Sequence, residues 1–250
     1  MNPIEILQAV KHREYPLPTG PWVMTQAWHT LLFAHWPLSP DKLRPIIPDI
    51  LEIDTFEGDA WVGIVPFTMS NVHPRGLPSV RGLSAFPELN VRTYVKKDGI
   101  SGVYFFSLDA GNPIAVSIAR TVFHLPYYNA LMSSKQVGET IHYRSHRTHR
   151  NAPEADYAAT YRPIAPVVYS QPGSIEHWLT ERYSLYTVMN DKHLYRGGIH
   201  HAQWPLQRAE QEIVRDTMAL SHGIHLPDTK PLLHYSHKQE VLIWPLQRLA

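Results

Sequence analysis

Apolar and polar side chains alternate most strictly in Leu83-Ser84-Ala85-Phe86-Pro87-Glu88-Leu89-Asn90-Val91-Arg92-Thr93-Tyr94-Val95. Successive side chains of a strand point to opposite faces, so Glu88, Asn90, Arg92 and Tyr94 share one face while Leu89, Val91, Thr93 and Val95 share the other. An acid, an amide, a guanidinium and a phenol in one row make a candidate ligand surface. The row also fits a half-buried strand with its polar side in water, which antiparallel sheets show routinely.

The same pattern predicts the neighbouring elements. Residues 1–21 form an extension in which Ile4, Ile6, Leu7 and Val10 suit a short outer helix that Pro16, Pro18 and Pro21 end. A β-prone run at 22–36 leads to Ser39-Pro40, a cap and first position for a short helix that Pro45 and Pro48 stop. Residues 52–56 and 60–72 flank Glu57-Gly58-Asp59 and predict a hairpin, and a second hairpin turns at Lys96-Lys97-Asp98-Gly99. Asn112-Pro113 opens the clearest helix, with Ile114, Ala115, Ile118, Ala119, Val122 and Phe123 at helical spacing to about residue 124. Strands are predicted at 127–137, 139–145, 156–163, 183–189, 193–200 and 232–245, with a turn at 190–192 and a short helix from 175 to about 180; residues 203–216 fit strand or helix. About ten short strands, few helices and no βαβ alternation predict an antiparallel β-barrel or double sheet, taken as a single domain over 22–250.

Composition narrows the class. Of 250 residues 44% are hydrophobic and 18% charged, enough for a proper core in a globular chain. No stretch approaches eighteen consecutive apolar residues, which predicts a cytoplasmic protein without a membrane partner. With no cysteine, disulfides, thiolate nucleophiles and finger-type zinc sites are excluded. A net charge of +1 gives no long-range attraction for a polyanion, and the basic run at 142–150 is too short for a nucleic-acid footprint. Among sixteen histidines no metal-binding spacing appears, so neither metal nor cofactor is expected. The oligomeric state stays open, a homo-oligomer included.

Several longer motifs carry a resemblance. Leu32-Phe33-Ala34-His35-Trp36-Pro37, Asp54-Thr55-Phe56-Glu57-Gly58, Trp61-Val62-Gly63-Ile64-Val65-Pro66-Phe67 and Glu176-His177-Trp178-Leu179-Thr180-Glu181-Arg182-Tyr183 resemble the YqjF-like family, domain of unknown function 2071. Leu83-Ser84-Ala85-Phe86-Pro87 is similar to the segment preceding the paired lysines of acetoacetate decarboxylases. That resemblance implies a mainly β fold of the acetoacetate decarboxylase-like type, a closed or nearly closed barrel with peripheral helices and a central cavity. One departure matters: where decarboxylases place the Schiff-base lysine after the proline, this chain has Glu88 and then Leu89.

In such a fold Leu89, Val91 and Val95 pack outward against helices and the polar row faces the cavity. Glu88 is then the candidate acid or base and Arg92 the fork for an anionic group, with Asn90 and Tyr94 as further ligand contacts. His35 lies near the position where the resemblance places a polar pocket residue, and Glu181 or Arg182 is a candidate to reach the cavity, Arg182 being taken as the ligand contact. Lys96 and Lys97 read as solvated turn residues. The expected ligand is a small organic anion, keto-acid-like. Three classes fit: a lyase-like enzyme without the imine lysine, a non-catalytic binding or sensor protein, and a scaffold whose cavity is filled.

Overall fold

Capping and alternation place the elements of the structure, a computed structural model that describes residues 2–80, 82, 84–189 and 193–249. Leu83 and the turn expected at 190–192 lie outside the described residues. In chain order the elements are α1 (Pro3–Gln8), β1 (Met24–Leu38), α2 (Pro40–Leu43), β2 (Glu52–Ile53), β3 (Ala60–Pro74), β4 (Phe86–Lys97), β5 (Ile100–Ala110), α3 (Pro113–Val122), β6 (Tyr127–Val137), β7 (Thr140–Arg147), β8 (Asp156–Pro163), α4 (Ile175–Thr180), β9 (Ser184–Met189), β10 (His193–His201), β11 (Gln207–Asp216) and β12 (Leu232–Arg248). Asn112 caps α3 as expected, its side chain accepting from the N–H groups of Ile114 and Ala115. Ser174 does the same for α4 through His177 N–H. No helix among the described residues is long and apolar enough to cross a membrane.

The strands form one 12-stranded sheet in the order β10-β9-β5-β6-β7-β8-β11-β12-β1-β3-β4-β2, with additional pairings β10–β12 and β4–β5 that fold it back on itself. The fold is mainly β, as the strand pattern predicts. The ambiguous segment at 203–216 is strand, because β11 pairs along β8. The first predicted hairpin is corrected. Only the bridge Phe56↔Asp59 forms at its turn; β2 pairs instead with β4, Glu52 opposite Lys96 and Ile53 opposite Val95. The reason lies in Asp54, whose N–H bonds Tyr94 C=O and whose buried carboxylate meets Lys96 and Arg182.

Strands β1, β3, β4 and β5 form a wall between two compartments. One parity, with Leu32, Ala34, Ile64, Leu89, Val91 and Val95, enters a solid core shared with Tyr143, Tyr157 and Tyr161 of β7 and β8. The cover differs in part from the expected peripheral helices: the other half of the sheet shares this core with Leu43 of α2 and with Ile47 and Leu51 just after it. The buried tyrosine hydroxyls find partners: that of Tyr143 lies 3.0 Å from Phe67 C=O and 2.7 Å from Glu88 C=O, Tyr161 donates to Thr30 C=O, and Tyr157 accepts from the Gln211 amide. The opposite parity, including Leu31, Phe33, Val65 and Phe67, faces a hollow. Helix α1 seats Ile6 against Leu242 and Trp244 on the outside, and His200 Nε2 meets Ile6 C=O.

Candidate functional site

The hollow is a cavity of about 540 Å³, and β4 lays Phe86, Glu88, Asn90 and Arg92 along its wall. Most of the remaining lining is apolar, with Trp28, Phe33, Phe67, Phe105 and Trp204 prominent. The polar row therefore faces an interior space, and the space is not filled by side chains. Its members are separated by strand geometry: Glu88 and Arg92, four residues apart, have Cα atoms roughly 13 Å apart. They do not pair with each other, and each has its own surroundings.

Glu88 is 3% exposed and accepts a 2.9 Å hydrogen bond from the Tyr127 hydroxyl of β6. Burial raises its pKa from 4.5 to about 8, against the lowering effect of the Tyr127 bond, with buried Asp109 adding to the rise. At neutral pH Glu88 is thus a carboxylic acid rather than a carboxylate. Asp109 keeps its own partner, a two-pronged pair with Arg147 at 2.7 Å for both bonds. Asn90 is buried and its Oδ1 lacks a hydrogen-bond partner.

Arg92 holds a guanidinium against the cavity with no carboxylate pairing among the described residues. Its Nη2 donates to Tyr94 Oη at 3.3 Å, its Cζ lies 5.2 Å from the Phe33 ring centre, and its buried Nε is unpartnered. Tyr94 and His35 stand behind it rather than on the wall. Both are fully buried, and His35 Nε2 lies 2.6 Å from Tyr94 Oη. Burial, then the Arg92 charge, holds His35 well below its ordinary pKa, so the imidazole is neutral. Arg92 can only donate, so the Tyr94 oxygen accepts from it and its proton is available to His35. Gly63 makes the room: a Cβ there would lie 2.9 Å from the His35 ring.

Arg182 reaches the cavity edge from the end of α4, with Thr180 beside it. Its Nη1 binds Asp54 at 2.6 Å, which also holds Lys96 at 2.6 Å, and its Nη2 is unpartnered. Lys96 is therefore an ion-pair partner of a buried acid, contrary to its reading as a solvated turn residue; Lys97 pairs with Asp98 at the turn. No lysine lines the cavity among the described residues.

Sequence spacing could not reveal a second group. His12, Glu181 and His201 bring ligand-type atoms within 4.8 Å of one another, and His201 borders the cavity. Burial pushes His201 down to about 3, so its imidazole is neutral, and raises the Glu181 carboxyl above its ordinary value. Glu181 already accepts from the Tyr183 hydroxyl and from Trp204 N–H at 3.0 Å, and Arg13, stacked 4.0 Å over the Tyr183 ring, adds positive charge. The trio reads as a satisfied internal network, and the crowding cation works against a dication there.

The family of unknown function described as "Uncharacterized conserved protein" matches residues 25–240, and the chain belongs to it, domain of unknown function 2071. It is 48% identical over 238 residues, 95% of this chain and 97% of the other, to "Uncharacterized protein YqjF" of Bacillus subtilis (strain 168). Among solved structures it is similar to the enduracididine biosynthesis enzyme MppR complexed with pyruvate, with a TM-score of 0.61, 11% identity and 95% and 93% of the two chains covered. It is likewise similar to acetoacetate decarboxylase from Legionella pneumophila, with a TM-score of 0.59, 15% identity and 98% and 95% covered. At these identities the structural likeness speaks for the fold, which is of the acetoacetate decarboxylase-like type.

Proposed function

We propose that the cavity binds a small organic anion of the keto-acid type, its carboxylate held by Arg92 with Asn90 as a second polar contact. The observation that carries this reading is a guanidinium that has no carboxylate partner among the described residues, in a largely apolar chamber. A cation so placed gains most from a bound anion, because the low surrounding dielectric strengthens the pair. A solved neighbour of the same fold is described as complexed with pyruvate, which supports the ligand class. Glu88, neutral at pH 7, is suited to give a proton to a developing enolate. Imine chemistry has no amine on the wall among the described residues, so the catalytic reading runs through acid–base steps.

A non-catalytic binder is the second reading, favoured by that same lack of a wall amine among the described residues. Thermal-shift screening with pyruvate and acetoacetate, followed by mass detection of turnover, separates the two. Arg92→Met is expected to abolish the anion-induced stabilisation while the circular-dichroism spectrum stays that of the parent. Unchanged affinity in Arg92→Met overturns the assignment.

A further inference from the structure

The cavity is too large and too apolar for a three-carbon acid. At roughly 30 Å³ for a water-sized group, about 540 Å³ accommodates about eighteen such groups; pyruvate has six non-hydrogen atoms. The wall is also long. Phe86 and Arg92 both line it from β4, six residues apart, which a strand spreads over about 20 Å. The mouth can be located from exposure: Leu77, Val80, Ile114 and Ile118 line the same cavity yet remain between 51% and 58% exposed. Leu77 and Val80 belong to the segment that leads into the Phe86 end of β4, so the opening and the guanidinium lie toward opposite ends of the wall. Ala115 and Ala119 of α3, small and also on the lining, keep the passage beneath the helix clear.

We infer that the anion carries an extended apolar body: a monocarboxylate with an aliphatic or arylalkyl chain of about ten to fourteen atoms, head at Arg92 and tail running past Phe67 and Phe86 toward the mouth. This rests on the anion reading above and specifies its ligand class. An extended chain advances about 1.2 Å per bond, taking ~3.6 Å for the three bonds of an extended residue, so twelve atoms cover most of the wall. The aromatic side chains of Trp28, Phe33 and Trp204 suit such a body better than the polar end of a keto acid. The four mouth residues then form an apolar approach for the chain.

The experiment uses the full chain and reads tryptophan fluorescence, since Trp28 and Trp204 are on the wall. It titrates pyruvate, butanoate, octanoate, decanoate and dodecanoate, with dodecanol as the uncharged counterpart, below their aggregation concentrations. Affinity is expected to rise about threefold to fourfold per added methylene up to about twelve carbons, and dodecanoate should bind better than dodecanol. Affinity that is flat along the series, or best for pyruvate, overturns the inference and leaves the anion reading standing. Chain-length dependence with dodecanol as good as dodecanoate, and Arg92→Met without effect, has the opposite meaning: the apolar body holds and the anion reading falls. Ala119→Trp, which narrows the passage without touching Arg92, should weaken dodecanoate at least tenfold and leave pyruvate unchanged; equal dodecanoate affinity in a folded Ala119→Trp variant also overturns the inference.

Discussion

Replacing Glu88 with Gln tests the electrostatics of the cavity directly. The side chain is 3% exposed with a pKa near 8, so the folded protein keeps it protonated over a range in which the unfolded chain has already ionised it. Between pH 4.5 and about 8 the unfolded state binds fewer protons at this group than the folded one, and wild-type stability falls as pH rises through that window. Below it both states are neutral and above it both are ionised, so the contribution is then flat. The interval from 4.5 to about 8, at about 1.4 kcal/mol per pH unit, sets a ceiling of ~5 kcal/mol. Gln keeps an oxygen for the Tyr127 hydroxyl and cannot ionise. Its stability relative to wild type should therefore increase steadily from pH 5 to 8 and level off, a change in relative melting temperature on the order of 10 °C. Thermal unfolding followed by circular dichroism from pH 5 to 9 measures it. A difference between the two proteins that stays constant across this range refutes the reasoning, because a constant offset carries no titration.

Other outcomes follow from the same geometry. Tyr127→Phe removes the hydrogen bond that pulls the Glu88 pKa down, so carbon-13 NMR of labelled Glu88 should show its titration moving further up. Asp109→Asn leaves the Arg147 guanidinium buried without its counter-charge, which should cost about 3–5 kcal/mol by denaturant unfolding. Gly102→Ala places a Cβ 2.7 Å from Ser184 C=O and from the Tyr186 ring, against backbone that cannot yield. It should destabilise by about 1–3 kcal/mol, with faster amide exchange where β5 pairs with β9 at Val103 and Leu185.

The parts of this molecule that could be read from its residues are those where one local rule acts alone. The β4 alternation separated two chemically distinct sets, and Asn112-Pro113 and Ser174 marked helix starts because capping depends on the next three residues only. What covers each face is decided elsewhere in the chain. Leu89 and Val91 meet tyrosines from β7 and β8, and no periodicity distinguishes such a cover from a helix. Glu88 and its Tyr127 donor are 39 positions apart; His12, Glu181 and His201 come from three separate segments. Arg147 shows the same limit. Its neighbours His142, Arg144 and His146 are exposed, as a basic run suggests, while Arg147 turns inward to Asp109. Glu57-Gly58-Asp59 was legible as a turn, but Asp54 diverts the strand before it and changes that strand's partner.

Because β1, β3, β4 and β5 divide a solid compartment from a hollow one, odd and even positions along them answer to different constraints. Exchanging Ile64 or Val91 opens a void in tightly packed matter, whereas exchanging Phe67 or Phe105 reshapes a space that is already empty. Relatives built on this partition are free to diversify what they accommodate by altering one register of side chains, while inheriting the other intact.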